Sequence, residues 1–128
     1  ILGVFAGGER VRLQVRVTVQ ETLSSPIVGF LVKDRLGQEL FGENTFTTHP
    51  GHVATAGQSI EAVFAFVLPM LPNGVYSVTV AIADGDLANH IQHHWLHDAL
   101  MLHVSSAKPR YGLVGIPFDR VEMKVLSE

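Results

Sequence analysis

Five of the seven histidines fall between His90 and His103, in a segment that also carries the single tryptophan, Trp95. On a helix, His90/His94 and His93/His97 would be metal-ligand pairs one turn apart; on a strand, His93 aligns with Trp95 and His97. No His-Glu-x-x-His pattern accompanies them, and the flanking residues favour strand or loop, so no metal site and no cofactor are expected. Ser, His and Asp are all present, but nothing resembles Gly-x-Ser-x-Gly and there is no cysteine nucleophile. Paired carboxylates in a recognisable glycosidase motif are missing, as is a Gly-x-x-x-x-Gly-Lys-Ser/Thr phosphate loop. The chemistry left is non-catalytic recognition. Sugars stack their C–H faces on an aromatic ring while planar polar side chains take the hydroxyls. Trp95 with His93, His97 and Asp98 has that composition. A second row, Arg12, Gln14 and Arg16, offers guanidinium and amide groups that suit hydroxyls or an anionic substituent. The plainer alternatives are that Trp95 anchors the core, that the histidines are structural, and that the arginine row is a solvated face.

These residues sit in segments whose periodicity is that of strands. In Glu9–Gln20, Val11, Leu13, Val15, Val17 and Val19 alternate with Arg10, Arg12, Gln14, Arg16, Thr18 and Gln20, which predicts one core face and one polar face. Ser24-Ser25-Pro26 breaks the run. Val28–Thr45 reads as a hairpin around which other strands gather on both edges: Val28, Phe30 and Val32 share a face, and Asp34-Arg35-Leu36-Gly37 is the turn. Gly42 and Asn44 mark a bulge or an end. Phe46–Gly57 has no period and reads as a loop. Ser59–Leu68 alternates with apolar residues on both faces, predicting cover on both sides. After a turn at Pro69–Gly74, Val75–Ala83 forms the next strand. In the histidine-rich stretch, Leu96, Leu100, Leu102 and Val104 form the buried side, opposite Trp95, His97, Met101 and His103. Val121, Met123 and Val125 alternate with Arg120, Glu122 and Lys124 in a last strand, Gly115 to Val125. About seven strands and no convincing helix predict an all-β domain of two packed antiparallel sheets.

Composition narrows the class further. The 128 residues suffice for one domain with its own core, and 47% hydrophobic against 16% charged residues fits an ordered globular chain. A net charge of −3 with nine basic residues argues against nucleic acid as the partner. The absence of cysteine excludes a disulfide framework and fits a reducing compartment. No apolar run approaches the roughly 18–20 residues that span a bilayer, so no membrane insertion is expected. The chain starts at Ile1 without a methionine, and residues 1–5 are too short for a signal peptide. The expectation is a single domain, residues 1–128, cut from a longer protein.

A set of short motifs adds a family. Gly8-Glu9, Gly29-Phe30 with Asp34-x-x-Gly37, Phe41-Gly-x-Asn44-Thr45, Leu71-x-x-Gly74-x-Tyr76-Ser77 and His94-Trp95-x-x-Asp98-Ala99 follow one another over nearly the whole chain. In this order and spacing they resemble the C-terminal domain of Wzt, the nucleotide-binding subunit of ABC exporters for bacterial O-antigen polysaccharides. The resemblance implies an immunoglobulin-like β-sandwich acting as a carbohydrate-binding module for the capped non-reducing end of the O-polysaccharide. It also implies an ATPase domain N-terminal to this one, a transmembrane exporter subunit as partner, and a cytoplasmic location at the inner face of the inner membrane. A homodimer that exchanges its last strand is implied as well, with Gly112–Pro117 as hinge and Val121–Val125 as the swapped strand. Asp34, Gly37, Gly42 and Asn44 read as turn and bulge formers. The site residues expected to touch glycan are Trp95, His93, His97, Arg12, Gln14 and Arg16. Two readings from other classes stand beside this one: a dimerisation domain with no ligand of its own, and a metal-dependent enzyme of the cupin sort built on the histidines.

Overall fold

The computed structural model describes residues 4–46, 53–85, 90–106, 116 and 118–126, with the backbone alone for 90–95 and 98. Seven strands lie among these residues: β1 (Val4–Phe5), β2 (Arg10–Thr18), β3 (Pro26–Lys33), β4 (Glu39–Asn44), β5 (Ser59–Val67), β6 (Gly74–Gly85) and β7 (His90–Val104). They form a five-stranded sheet in the order β1-β7-β6-β3-β4 and a two-stranded sheet of β2 and β5. There is no helix among the described residues. The two layers are a β-sandwich, as the alternating patterns require.

The inner faces meet along β2, β3, β5 and β6. Val15 and Ala62 of the small sheet pack with Val28 and Ile82 of the large one, joined by Val19, Leu23 and Ala54. A second cluster gathers Phe30, Val32, Leu71, Tyr76, Val78 and Val104. Leu13, Phe64 and Val80 touch both, so the two clusters are one continuous core. Phe30 joins the layers: its ring lies 4.9 Å from that of Phe64, 5.7 Å from Phe66 and 6.3 Å from Phe41. Aromatic pairs of this kind contribute about 0.5–1.5 kcal/mol each beyond the area they bury.

The motif residues hold backbone. Asp34 Oδ1 accepts the Leu36 and Gln38 N–H groups, both at 2.9 Å, while Gly37 takes φ of 84° and donates to the Asp34 carbonyl. That is the turn predicted between β3 and β4. Thr45 exchanges two bonds with Val28, and Asn44 Oδ1 accepts the Phe46 N–H. Glu9 receives the Ala6 N–H on one carboxylate oxygen (2.8 Å) and the Gly7 N–H on the other (2.7 Å). Tyr76 donates its hydroxyl to the Pro72 carbonyl.

Five expectations need correction. The β3–β4 hairpin does not recruit on both edges: β6 joins β3, and β4 ends the sheet. Gly42 neither ends nor bulges β4. The register shift lies between Val32 and Lys33, and β4 runs on to Asn44 because a glycine lets it pass close over the Phe30 carbonyl. β5 is covered on one side only, leaving Val63 and Val67 41% and 44% exposed, since nothing packs on the outside of the two-stranded sheet among the described residues. The pairing is not wholly antiparallel, because β1 adds in parallel to the end of β7 with Val4 opposite His103. Finally, residues 118–126 belong to neither sheet; Val121, Met123 and Val125 keep their alternation but are 75%, 88% and 92% exposed. The rest of the expected last strand and most of its hinge lie outside the described residues.

Candidate functional site

The expected contact residues divide between the two sheets. Arg12, Gln14 and Arg16 point outward from β2 and are exposed, because Val11, Leu13, Val15 and Val17 occupy the inward positions. Arg16 is committed in part: its guanidinium lies 3.4 Å from Glu61 on β5, directly across the ladder. Both partners are solvated, so the pair is worth at most about 1 kcal/mol. Arg10, exposed on the same row, was visible in the alternation but not singled out as a contact.

His93, Trp95 and His97 all lie on β7, in the large sheet. Their setting on the backbone is unusual. Leu96 pairs with Val80 and Leu100 with Val78, so three residues of β7, His97 to Ala99, stand opposite Thr79 alone. On the other side of Trp95, His94 pairs with Ile82 and Gln92 with Ala83, leaving His93 as an extra residue. Trp95 itself is in register with Ala81. Two bulges therefore bracket the tryptophan, and each carries one of the predicted histidines. Bulges re-aim side chains and concentrate beside binding and active sites. His97 is exposed. The side chains of His93, Trp95 and Asp98 lie outside the described residues.

The sheets do not enclose these two sets in one pocket, but a groove of about 700 Å³ runs between them. One wall is β2, whose outer edge has no strand partner among the described residues, and the other is β7 with Leu96, Ala99 and Leu100. Gln14 and Arg16 reach its rim, whereas Arg12 and His97 do not line it. Its floor is aliphatic, from Leu13, Val15, Val80 and Ile82, and among the described residues no aromatic ring lines it. This explains why Leu96 and Leu100, expected inside, are 52% and 36% exposed while Val104 on the same strand is 3% exposed. A second depression, also lined by Arg35, holds Asp34, Asn73 and Tyr76, but these three are engaged with backbone. Asn73 exchanges two bonds with Ser106, and Asp34 holds its own turn.

Among the described residues, electrostatics mark no catalytic group. The Glu9 carboxyl is held below the usual carboxylate range, chiefly by the Ala6 N–H, and burial pushes the Tyr76 phenol up. Both are structural partners away from the groove. Among the described residues no cluster of three or more His, Cys, Asp or Glu could hold a metal. The helical metal pair His90/His94 does not form, since both residues belong to a strand; their side chains lie outside the described residues.

Known proteins agree with this architecture. No curated protein sequence matches the chain. Among solved structures, one titled as the crystal structure of the C-terminal domain of Wzt superposes with a TM-score of 0.82 at 18% identity, covering 94% of this chain and 74% of that one. The family model of the Wzt C-terminal domain matches residues 2–116. The chain thus belongs to the Wzt C-terminal domain family, the accessory domain of O-antigen ABC exporter ATPases and not their catalytic domain.

Proposed function

We propose that this domain is a non-catalytic carbohydrate-binding module that selects an O-antigen polysaccharide for export by recognising its capped non-reducing end. The observation that carries the reading is the pair of bulges in the β7 backbone that flank Trp95 and contain His93 and His97. A tryptophan in register with β6, between two bulges that each contain a histidine, places on one strand the residue types that stack a sugar ring and take its hydroxyls. Arg12, Gln14 and Arg16 give polar contacts on the other sheet, so an extended chain, not a single sugar, is what both sets can touch. In the exporter the domain follows the ATPase domain, works with the transmembrane subunit, and sits in the cytoplasm at the inner face of the inner membrane.

A homodimer with exchanged last strands belongs to the same reading. It is supported by exposed Val121, Met123 and Val125, which pair with no strand among the described residues, and by the edge of β2, likewise unpaired among them, whose aliphatic groove has the chemistry to receive such a strand. The test is binding of this chain to O-polysaccharide from its source, with and without the terminal cap. Cap-dependent binding, weakened tenfold or more by Trp95→Ala, is expected. Unchanged binding with alanine at both Trp95 and Arg16, in a folded protein, removes the site assignment. No binding of either form by a folded dimer favours a dimerisation domain without a ligand.

A further inference from the structure

The outer face of the two-stranded sheet carries three arginines, Arg10, Arg12 and Arg16, against one carboxylate, Glu61, on a chain whose net charge is −3. The cations are not equivalent. Arg16 is paired with Glu61, whose charge would repel an anion at that end. Arg10 and Arg12 make no ion pair among the described residues. They are two residues apart on one strand, so their Cα atoms are about 7 Å apart and both side chains leave the same face. Two guanidinium forks at that spacing can converge on one phosphate or carboxylate with charge-assisted, bidentate bonds.

Their surroundings favour a saccharide as the carrier of that anion. Across the ladder Arg10 faces Val67 and Arg12 faces Ala65, leaving a shallow apolar strip for the C–H face of a ring. The next residue along the row is Gln14, exposed, whose amide both donates to and accepts from hydroxyls. We propose that Arg10 and Arg12 form a site for an acidic sugar, one bearing a phosphate ester or a carboxylate, with Gln14 taking a neighbouring hydroxyl. The inference rests on the glycan-recognition reading and deepens it. It assigns Arg10 a role, keeps the anion away from Arg16 and its partner Glu61, and places the anion contact on the sheet opposite to Trp95.

The experiment is an NMR titration of this chain with glucose 6-phosphate, glucuronate and, as the neutral control, glucose, reading the arginine Nε–H signals. Both acids should shift Arg10 and Arg12, glucose should not, and the affinity should fall as salt rises. The double variant R10Q/R12Q should lose at least tenfold in affinity, whereas R35Q, in the β3–β4 turn, should bind as wild type. Equal shifts with glucose, or unchanged binding by R10Q/R12Q, overturn the proposal. Inorganic phosphate bound as tightly as glucose 6-phosphate overturns the saccharide assignment. Capture by phosphatidylglycerol vesicles, without binding of either acidic sugar, makes the face a membrane contact and overturns it as well. If the acids fail while O-polysaccharide still binds, only this inference falls; if the polysaccharide fails too, the glycan reading goes with it.

Discussion

At the scale of single residues, this chain spends many of its polar side chains on its own backbone. Glu9 illustrates the point. Its carboxylate receives two N–H groups just before β2 begins, where two consecutive glycines leave no side chain to do so. Those bonds favour the charged form and lower the folded-state pKa below the unfolded value. A depressed carboxylate pKa contributes stability that is present above the unfolded value and lost as pH falls through the folded one. Glu9→Gln should therefore lower the urea midpoint at about pH 7, where an ionised carboxylate is replaced by a neutral amide. The difference from wild type should shrink as the solution is acidified through the lowered pKa. A gap of constant size across that range would show that the charge of Glu9 does not matter.

Among the elements, the β3–β4 pair depends on one close approach. An added Cβ at Gly42 would overlap the Phe30 carbonyl oxygen and press on the Leu31 Cα at 3.2 Å. Both are backbone atoms of a strand fixed on its other side by β6, so neither can yield cheaply. Gly42→Ala should cost about 1–3 kcal/mol, the range for overpacking, measured by chemical denaturation. Gly37→Ala is a different case, since nothing lies within 4 Å and its positive φ is the only constraint. It should cost less than Gly42→Ala, and the reverse order would show that the turn, not the strand contact, limits the hairpin.

At the scale of the molecule, the sandwich is asymmetric among the described residues: a two-stranded sheet faces a five-stranded one, and β2 has an edge with no partner over an aliphatic groove. Unpaired edges of this kind are sites of strand addition, and the alternating segment after residue 117 has the pattern to supply a strand. Deleting residues 118–128 should convert a dimer to a monomer in analytical ultracentrifugation. A truncated chain that remains dimeric would place the interface elsewhere.

Alternation in the sequence alone determined the all-β class, the inward row of β2 and the Asp34–Gly37 turn, because a period of two and a turn's need for Asp and Gly are local properties. The family, too, was legible, in residues such as Gly42, Thr45 and Tyr76 whose roles proved to be backbone support. Tertiary structure decided the rest. Only strand pairing could show that β5 is open on one side, that Gly42 serves a close approach, and that His93 and His97 occupy bulges, since a bulge is defined by the partner strand's count of residues. Only the layering could place Trp95 and Arg12 on different sheets and leave Arg10 and Arg12 without an ion pair among the described residues, because ion pairing across a ladder depends on a register that no single strand contains.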